Sequence, residues 1–348
     1  MPLTATAVVA VNAVAGEFFM RAYPGSPAEA YVSGRGISPA TAAAWKIGYA
    51  PPRNALLRHL AALGYGDGFL VDAGLVKSSE RDGEQGRVYD VFRDRVMLPI
   101  LDEAGEQVLG FGSRRISDLD PSVPKYANSG STAAYKKGET FFGLANVPAI
   151  RSAGEVFVVE GNFDALALHN AGVWNVVAPC GTAFSDAQLA LLGSFAPKAT
   201  LVFDADAAGV AATRKILLLP GAEAFDLGVI TIPTRADGSK RDPDDVIRKF
   251  GLAGWERLAS SRQSRWDWLW SDTFAQFEAE FERDDRKATV EWKDAWVSLV
   301  IANVGSSVEA RRLLRPMEQR LGMPADMLID EYRGLIGQPR PSKREAIR

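Results

Sequence analysis

The chain has 348 residues, 47% of them apolar and 24% charged, with a formal net charge of −3. That length is too great for one hydrophobic core and predicts two or three packed subdomains. No apolar run approaches the ~20 residues that a bilayer span requires. The only cysteine is Cys180 and the only histidines are His59 and His169, which excludes a disulfide framework and a Cys/His zinc cluster.

Residues 1–65 read as mostly helical. The Ala/Val-rich stretch Thr4–Val14 lacks a basic leader and runs into Glu17-Phe18-Phe19-Met20-Arg21, so it is not read as a signal peptide. Helices are expected over Ala13–Ala22 and Pro27–Ser33. Ser38-Pro39-Ala40 opens another through Trp45, with an N-cap serine before a first-turn proline. One more runs from Asn54 through Leu63 and stops at Gly64. A polar, glycine-rich loop is expected at 82–86. A hairpin follows: Val96-Met97-Leu98-Pro99-Ile100, a turn at 102–105, then Gln107–Arg114. Lys125–Ser129 reads as a loop and Thr140–Gly143 as a short strand.

From residue 155 to 232 strands and helices alternate, which predicts a mainly parallel sheet with helices on both faces. Strands are expected at 156–159, 175–178, 200–203 and 228–232, with helices at 163–171, 186–194 and 207–218. Ser185 caps the second of these helices, after a loop at Cys180-Gly181-Thr182. Residues 243–335 read as helical. Trp266, Trp268 and Trp270 fall there and read as packing residues. A basic tail closes the chain at 338–348.

Three acidic clusters follow strand-like runs. Glu160-Gly161-Asn162-Phe163-Asp164 comes after Val156–Val159, and Asp204-Ala205-Asp206 after Leu201–Phe203. Asp242-Pro243-Asp244-Asp245 comes shortly after Val229–Ile232. Carboxylates at the ends of neighbouring strands converge on one crevice of an open α/β sheet. Their mutual repulsion is relieved by a hard divalent cation, and Mg²⁺ typically uses a few carboxylates, waters and substrate phosphates. Metal-dependent phosphoryl chemistry is therefore expected, since such transfer depends on positioning and charge neutralisation. Taken alone, Asp242 and Asp244 read better as a helix N-cap and a first-turn acid than as site residues. No GxxxxGK[ST] loop and no Ser-His-Asp triad is suggested. Between Glu155 and Ala211 six acids face one lysine, whereas Arg114, Arg115, Lys125, Lys136 and Lys137 outnumber Asp118 and Asp120 in the preceding stretch. An acidic centre beside a basic stretch suits a metal site next to a polyanion track, although a solvated basic surface is an even alternative.

Glu160–Asp164 and Phe203–Gly209 resemble the two signatures of the Toprim fold. The flanking segments Phe92–Ile100, Gly110–Arg114, Pro124–Ser129, Lys137-Gly138, Tyr31–Ile37, Ala178–Ala183 and Asp242–Asp244 resemble, in order and spacing, the core of bacterial DnaG-type primases. The resemblance covers roughly 15–250. It implies an α/β (α+β overall) architecture: a central Rossmann-like Toprim sheet over 151–250, an N-terminal mixed subdomain over 1–150, a C-terminal helical subdomain over 251–336, and a flexible tail at 337–348. It implies a DNA-directed RNA polymerase that makes short primers on single-stranded DNA from ribonucleoside triphosphates.

By the same resemblance Glu160, Asp204 and Asp206 are catalytic, and Asp164, Asp242 and Asp244 complete a site for Mg²⁺ or Mn²⁺. Arg95, Arg114, Lys125 and Lys137 match positions that contact template or nucleotide. The family's zinc module and helicase-docking domain are not matched here. Helicase contact is therefore expected through segments or proteins outside this chain, and a cytoplasmic location at the replication fork follows. The sequence fits an excised core and a compact phage or mobile-element primase alike. A Toprim nuclease or topoisomerase-like enzyme, or an inactive nucleic-acid-binding module, are the other readings.

Overall fold

The computed structural model describes residues 3–79, 86–116, 123–181, 184–235 and 237–335. The expected loop at 82–85, Asp118 and Asp120, Thr182 and Ala183, and the tail at 337–348 lie outside them. The chain forms two compact units, Met1–Arg262 and Gln263–Arg348.

The first unit opens with α1 (Ala5–Arg21), α2 (Pro27–Gly34) and α3 (Pro39–Ala44). Thr4, Ser26 and Ser38 each cap the helix that follows through a side-chain oxygen. The first helix thus begins eight residues earlier than the sequence suggested, because Thr4 caps it and Val8, Val11 and Ala15 bury one face. Next come β1 (Gly48–Ala50), α4 (Ala55–Ala62), α5 (Asp67–Asp72), β2 (Val76–Ser78), β3 (Val88–Asp90), β4 (Arg95–Leu101), β5 (Val108–Arg115) and β6 (Tyr126–Asn128). Strands β1-β4-β5-β6 form an antiparallel sheet. The segment expected as a loop at Lys125–Ser129 is therefore an edge strand, paired through Gly112↔Asn128 and Arg114↔Tyr126.

All seven residues of β4 are buried. Val96, Leu98 and Ile100 face one core, shared with Phe142, Val159 and Leu166. Met97 and Leu101 face another, shared with Phe19, Leu60 and Phe111. The two-residue alternation of a strand thus sews two hydrophobic layers together.

The remainder of this unit is β7 (Phe141–Phe142), α6 (Val147–Ala153), β8 (Glu155–Val159), α7 (Asn162–Asn170), β9 (Val176–Pro179), α8 (Asp186–Phe195), β10 (Lys198–Val202), α9 (Ala207–Leu217), β11 (Asp226–Val229) and α10 (Pro243–Ala259). Its strands run β11-β10-β8-β9-β7, the first four parallel and β7 antiparallel. From β8 the chain goes first to β9 on one side, then back past β8 to β10 on the other. The β8/β10 boundary is thus a topological switch point, where open α/β sheets bind ligands at their carboxyl ends.

The second unit contains α11 (Arg265–Ala275), α12 (Glu278–Arg283), α13 (Asp285–Asn303), α14 (Ser307–Leu321) and α15 (Ala325–Leu335). Its core centres on Trp292 and Trp296, both fully buried. Trp270 packs edge-on against both, at 4.8 and 5.0 Å between ring centroids, and the Arg320 guanidinium lies 5.3 Å from the Trp292 ring. Trp268 is buried and Trp266 packs on Trp296. Among the described residues no helix is long and apolar enough to cross a membrane.

Candidate active site

The register of β8 and β10 builds the site. Val159 pairs with Val202, so Glu160 and Asp204 leave the sheet at the same edge and on adjacent strands. The Asp204 N–H donates to Glu160 Oε2 at 3.2 Å. Asp206 caps α9, its Oδ1 accepting from the Gly209 N–H at 2.9 Å. The turn is so tight that a Cβ on Gly209 would lie 2.1 Å from the Asp204 carbonyl oxygen. Only glycine fits there.

The Lys240 ammonium meets Asp204 Oδ2 and lies 3.3 Å from Asp206 Oδ2. The two aspartates therefore share one cation. Their hydrogen bonds, Asp204's first, push the Lys240 pKa up. The Gly209 amide, with help from Lys240, holds Asp206 below the usual carboxylate range. Burial, then repulsion from Asp204, pushes Glu160 up.

Asp164 caps the start of α7 by accepting from the Gly161 N–H at 3.1 Å. Burial raises its pKa well above normal, and Asp242, Asp204 and Asp244 add to the shift. Asp242 caps α10 through the Asp245 N–H at 2.8 Å. Asp244 is buried, 2.7 Å from Arg35 Nη1 and 3.4 Å from Arg248 Nε. Burial raises its pKa while Arg248 and Arg35 oppose the rise. The six acids thus differ in surroundings. Glu160, Asp204 and Asp206 cluster at the sheet edge, Asp164 lies behind them within their field, Asp242 is engaged as a cap, and Asp244 is bound by two arginines.

The basic residues also differ. The guanidinium of Arg95 is buried and donates to the carbonyls of Pro124, at 2.7 Å, and Lys125, at 3.3 Å. Arg114 is buried too, 4.2 Å over the Tyr31 ring. Lys125 and Lys137 are exposed. Lys137 lines a cleft of about 1140 Å³ together with Lys77, Arg87, Arg93 and Asn128. Gly112 on β5 pairs with the cleft's Asn128 on β6, and a Cβ at Gly112 would lie 2.6 Å from Nδ2 of Asn162, between Glu160 and Asp164 in the chain. Sequence reasoning missed Arg35 and Lys240 as members of the acidic neighbourhood. Arg35 lies 209 residues from Asp244. Lys240 directly precedes the Asp242 cluster in the sequence, which was the available signal, but it is the fold that carries it to Asp204 and Asp206, 36 and 34 residues away.

The donor set fits a hard cation. Glu160, Asp204 and Asp206 offer carboxylate oxygens, and the pair already draws in the protein's own ammonium. Among the described residues no group of three or more His, Cys, Asp or Glu side chains is arranged to chelate an ion as it stands. Mg²⁺ does not need such a cage, because it binds through one or two carboxylates, waters and substrate phosphates.

Residues 18–148 match the family model of the DNA primase catalytic core, N-terminal domain, and residues 157–247 match the Toprim-like model. The RNA polymerase domain of Mycobacterium tuberculosis primase DnaG, solved with a double-stranded DNA oligomer bearing a 6-nucleotide overhang, is 30% identical. It superposes with a TM-score of 0.72 over 90% of this chain and 98% of that one. The chain belongs to the DnaG primase catalytic-core family. A second similar structure, a DnaG primase catalytic domain bound to ssDNA, is 26% identical, with a TM-score of 0.74 over 91% of this chain and 96% of that one. The DNA primase of Clostridium acetobutylicum is 37% identical over 73% of this chain and 41% of its own length. The chain thus spans about two fifths of the curated relatives it matches. Membership of this Toprim primase family implies use of a divalent metal.

Proposed function

We propose that the chain is the catalytic core of a DNA primase, an enzyme that joins ribonucleotides into short RNA primers on a single-stranded DNA template. The observation that carries this reading is the placement of Glu160 and Asp204 on adjacent strand ends at the sheet's switch point, with Asp206 beside them, inside a chain of this family. In the reaction the 3′-hydroxyl of one nucleotide attacks the α-phosphorus of the next, forming the phosphodiester and releasing pyrophosphate. Mg²⁺ or Mn²⁺, when bound, would lower the hydroxyl's pKa and neutralise the leaving pyrophosphate. Glu160, Asp204 and Asp206 would hold the ion. Asp164 and Asp242 lend the surrounding negative field, and the Arg35 and Arg248 contacts of Asp244 make its role chiefly structural.

Lys125 and Lys137 are the predicted residues best exposed for phosphate contact. Arg95 acts at one remove by fixing the backbone at Pro124 and Lys125. The neighbour bound to ssDNA supports a single-stranded template as partner. Ribonucleoside triphosphates are the substrates of this reading, and the replication fork in the cytoplasm is its place of action.

The test is incorporation of labelled ribonucleotides on single-stranded templates, with and without Mg²⁺ or Mn²⁺. Metal-dependent synthesis is expected. Cleavage of the DNA with no incorporation would replace this reading with that of a Toprim nuclease.

A further inference from the structure

Lys240 has no role in the reading above, yet it makes the closest charged contacts in the acidic cluster. It lies in the segment between β11 and α10. The backbone just before it is fixed. The Gly238 N–H donates to the Arg235 carbonyl at 2.9 Å, and the Arg235 N–H to the Ser239 carbonyl at 2.8 Å. The Arg235 guanidinium in turn grips the Lys240 carbonyl, Ser239 Oγ and the Asp245 carboxylate. The Lys240 side chain is not fixed in this way. It is 56% exposed and meets the two aspartates through its terminal ammonium. An anchored base carrying a largely exposed side chain is a tether that can reach the carboxylates and also leave them.

We propose that Lys240 is a built-in counter-ion of the Asp204/Asp206 pair, which a divalent cation must displace to bind. The proposal rests on the metal reading of these acids. The ammonium engages one Oδ2 from each aspartate, the oxygens nearest to hand for an incoming ion. A Mg²⁺-like ion takes such oxygens at about 2.0–2.2 Å, so ammonium and dication cannot both keep them. Before metal arrives, Lys240 relieves the repulsion between the two carboxylates and keeps them converged. Once the dication is present, the like charge of the ammonium drives it outward into solvent. The site then takes metal weakly on its own, and more readily when a triphosphate supplies further oxygens.

The test is a titration of the full chain with Mn²⁺ in the absence of nucleotide, following free Mn²⁺ by electron paramagnetic resonance. Exposed ion pairs each contribute modestly, and both contacts are lost on displacement. Lys240→Ala is therefore expected to tighten Mn²⁺ binding about tenfold, while Lys240→Arg stays within about twofold of wild type. Unchanged or weaker binding in Lys240→Ala would overturn the proposal, as would equal tightening in both variants, because charge would then not be the cause. Asp204→Asn separates the two levels. If it leaves Mn²⁺ affinity at the wild-type value, the metal reading of the cluster itself fails. If it weakens binding while Lys240→Ala has no effect, only the role of Lys240 fails.

Discussion

Glu160 carries its charge at a cost, because burial and Asp204 both push its pKa up. The sign follows directly. The unfolded glutamate ionises first as pH rises, the folded one later, so ionisation between the two values removes stability from the fold. Glu160→Gln should therefore melt at or above the wild-type temperature at pH 7, and the difference should vanish below the ordinary glutamate range. Ribonucleotide incorporation should fall about a hundredfold or more, as for other removed charge-stabilising groups. A variant that keeps wild-type synthesis would take Glu160 out of the mechanism. At this scale the sequence revealed which residue types gather at the site, since acids after strand-like runs are visible in one dimension. It could not show which of them already have partners. Asp244 looks like Asp204 in the sequence, yet two arginines hold it, one of them 209 residues away.

Among the elements, α9 and α7 show how packing decides what a side chain does. Asp206 is at once the cap of α9 and a member of the acidic edge, and two substitutions separate these roles. Asparagine caps about as well as aspartate, whereas alanine forfeits about 1 kcal/mol. Asp206→Asn should keep the cap, lose at most the small contribution of the exposed Lys240 pair, and lose synthesis, whereas Asp206→Ala should lose synthesis and about 1 kcal/mol of stability as well. Urea denaturation beside the incorporation assay checks the pair. His169 on α7 tells the opposite story. It is 1% exposed, stacked between Trp45 and Trp174, with Nε2 3.0 Å from the Val176 carbonyl oxygen. The α7 helix packs against α10, α3 and β9, so it has little solvated face, and helical periodicity loses its meaning. Burial pushes the His169 pKa down to about 4. The unfolded histidine takes its proton near 6.5, so stability is lost as pH falls from there toward 4, by about 3 kcal/mol in all. His169→Gln should flatten that part of the stability–pH curve, measured by urea denaturation at steps between pH 7.5 and 4.5. A slope equal to wild type would mean that the ring is protonated in the fold.

Across the whole molecule, a net charge of −3 conceals a division of labour, because Glu160, Asp204 and Asp206 cluster at one sheet edge while the exposed Lys125 lies just before β6 and Lys137 on the 3₁₀ turn at Lys137–Glu139. The alternation of strands and helices made the parallel sheet legible, since each strand is a short apolar run and each helix has its own cap. The three-residue strands β1, β2, β3 and β6 were harder to read, because they are too short to show an alternating pattern and exist only through their partners. The same limit blurred the basic residues, which look alike in the sequence but divide by burial into two classes. Lys125 and Lys137 are free to meet phosphates, whereas Arg95 spends its donors on the carbonyls of Pro124 and Lys125. Each phosphate contact to a single strand contributes about 0.7 to the slope of log K against log salt. Lys125→Ala and Lys137→Ala should each flatten that slope by about 0.7 with an unchanged melting temperature, and the double variant by about 1.4 if the contacts are independent. Arg95→Ala should lower the melting temperature, because it frees two carbonyls and leaves a void where a buried guanidinium stood. Its salt slope should change less than that of either lysine variant. Fluorescence anisotropy of a labelled single strand over a salt series, with thermal melts of the same samples, decides the matter. If both lysine variants keep the wild-type slope, the exposed lysines are a solvated surface and the template runs elsewhere.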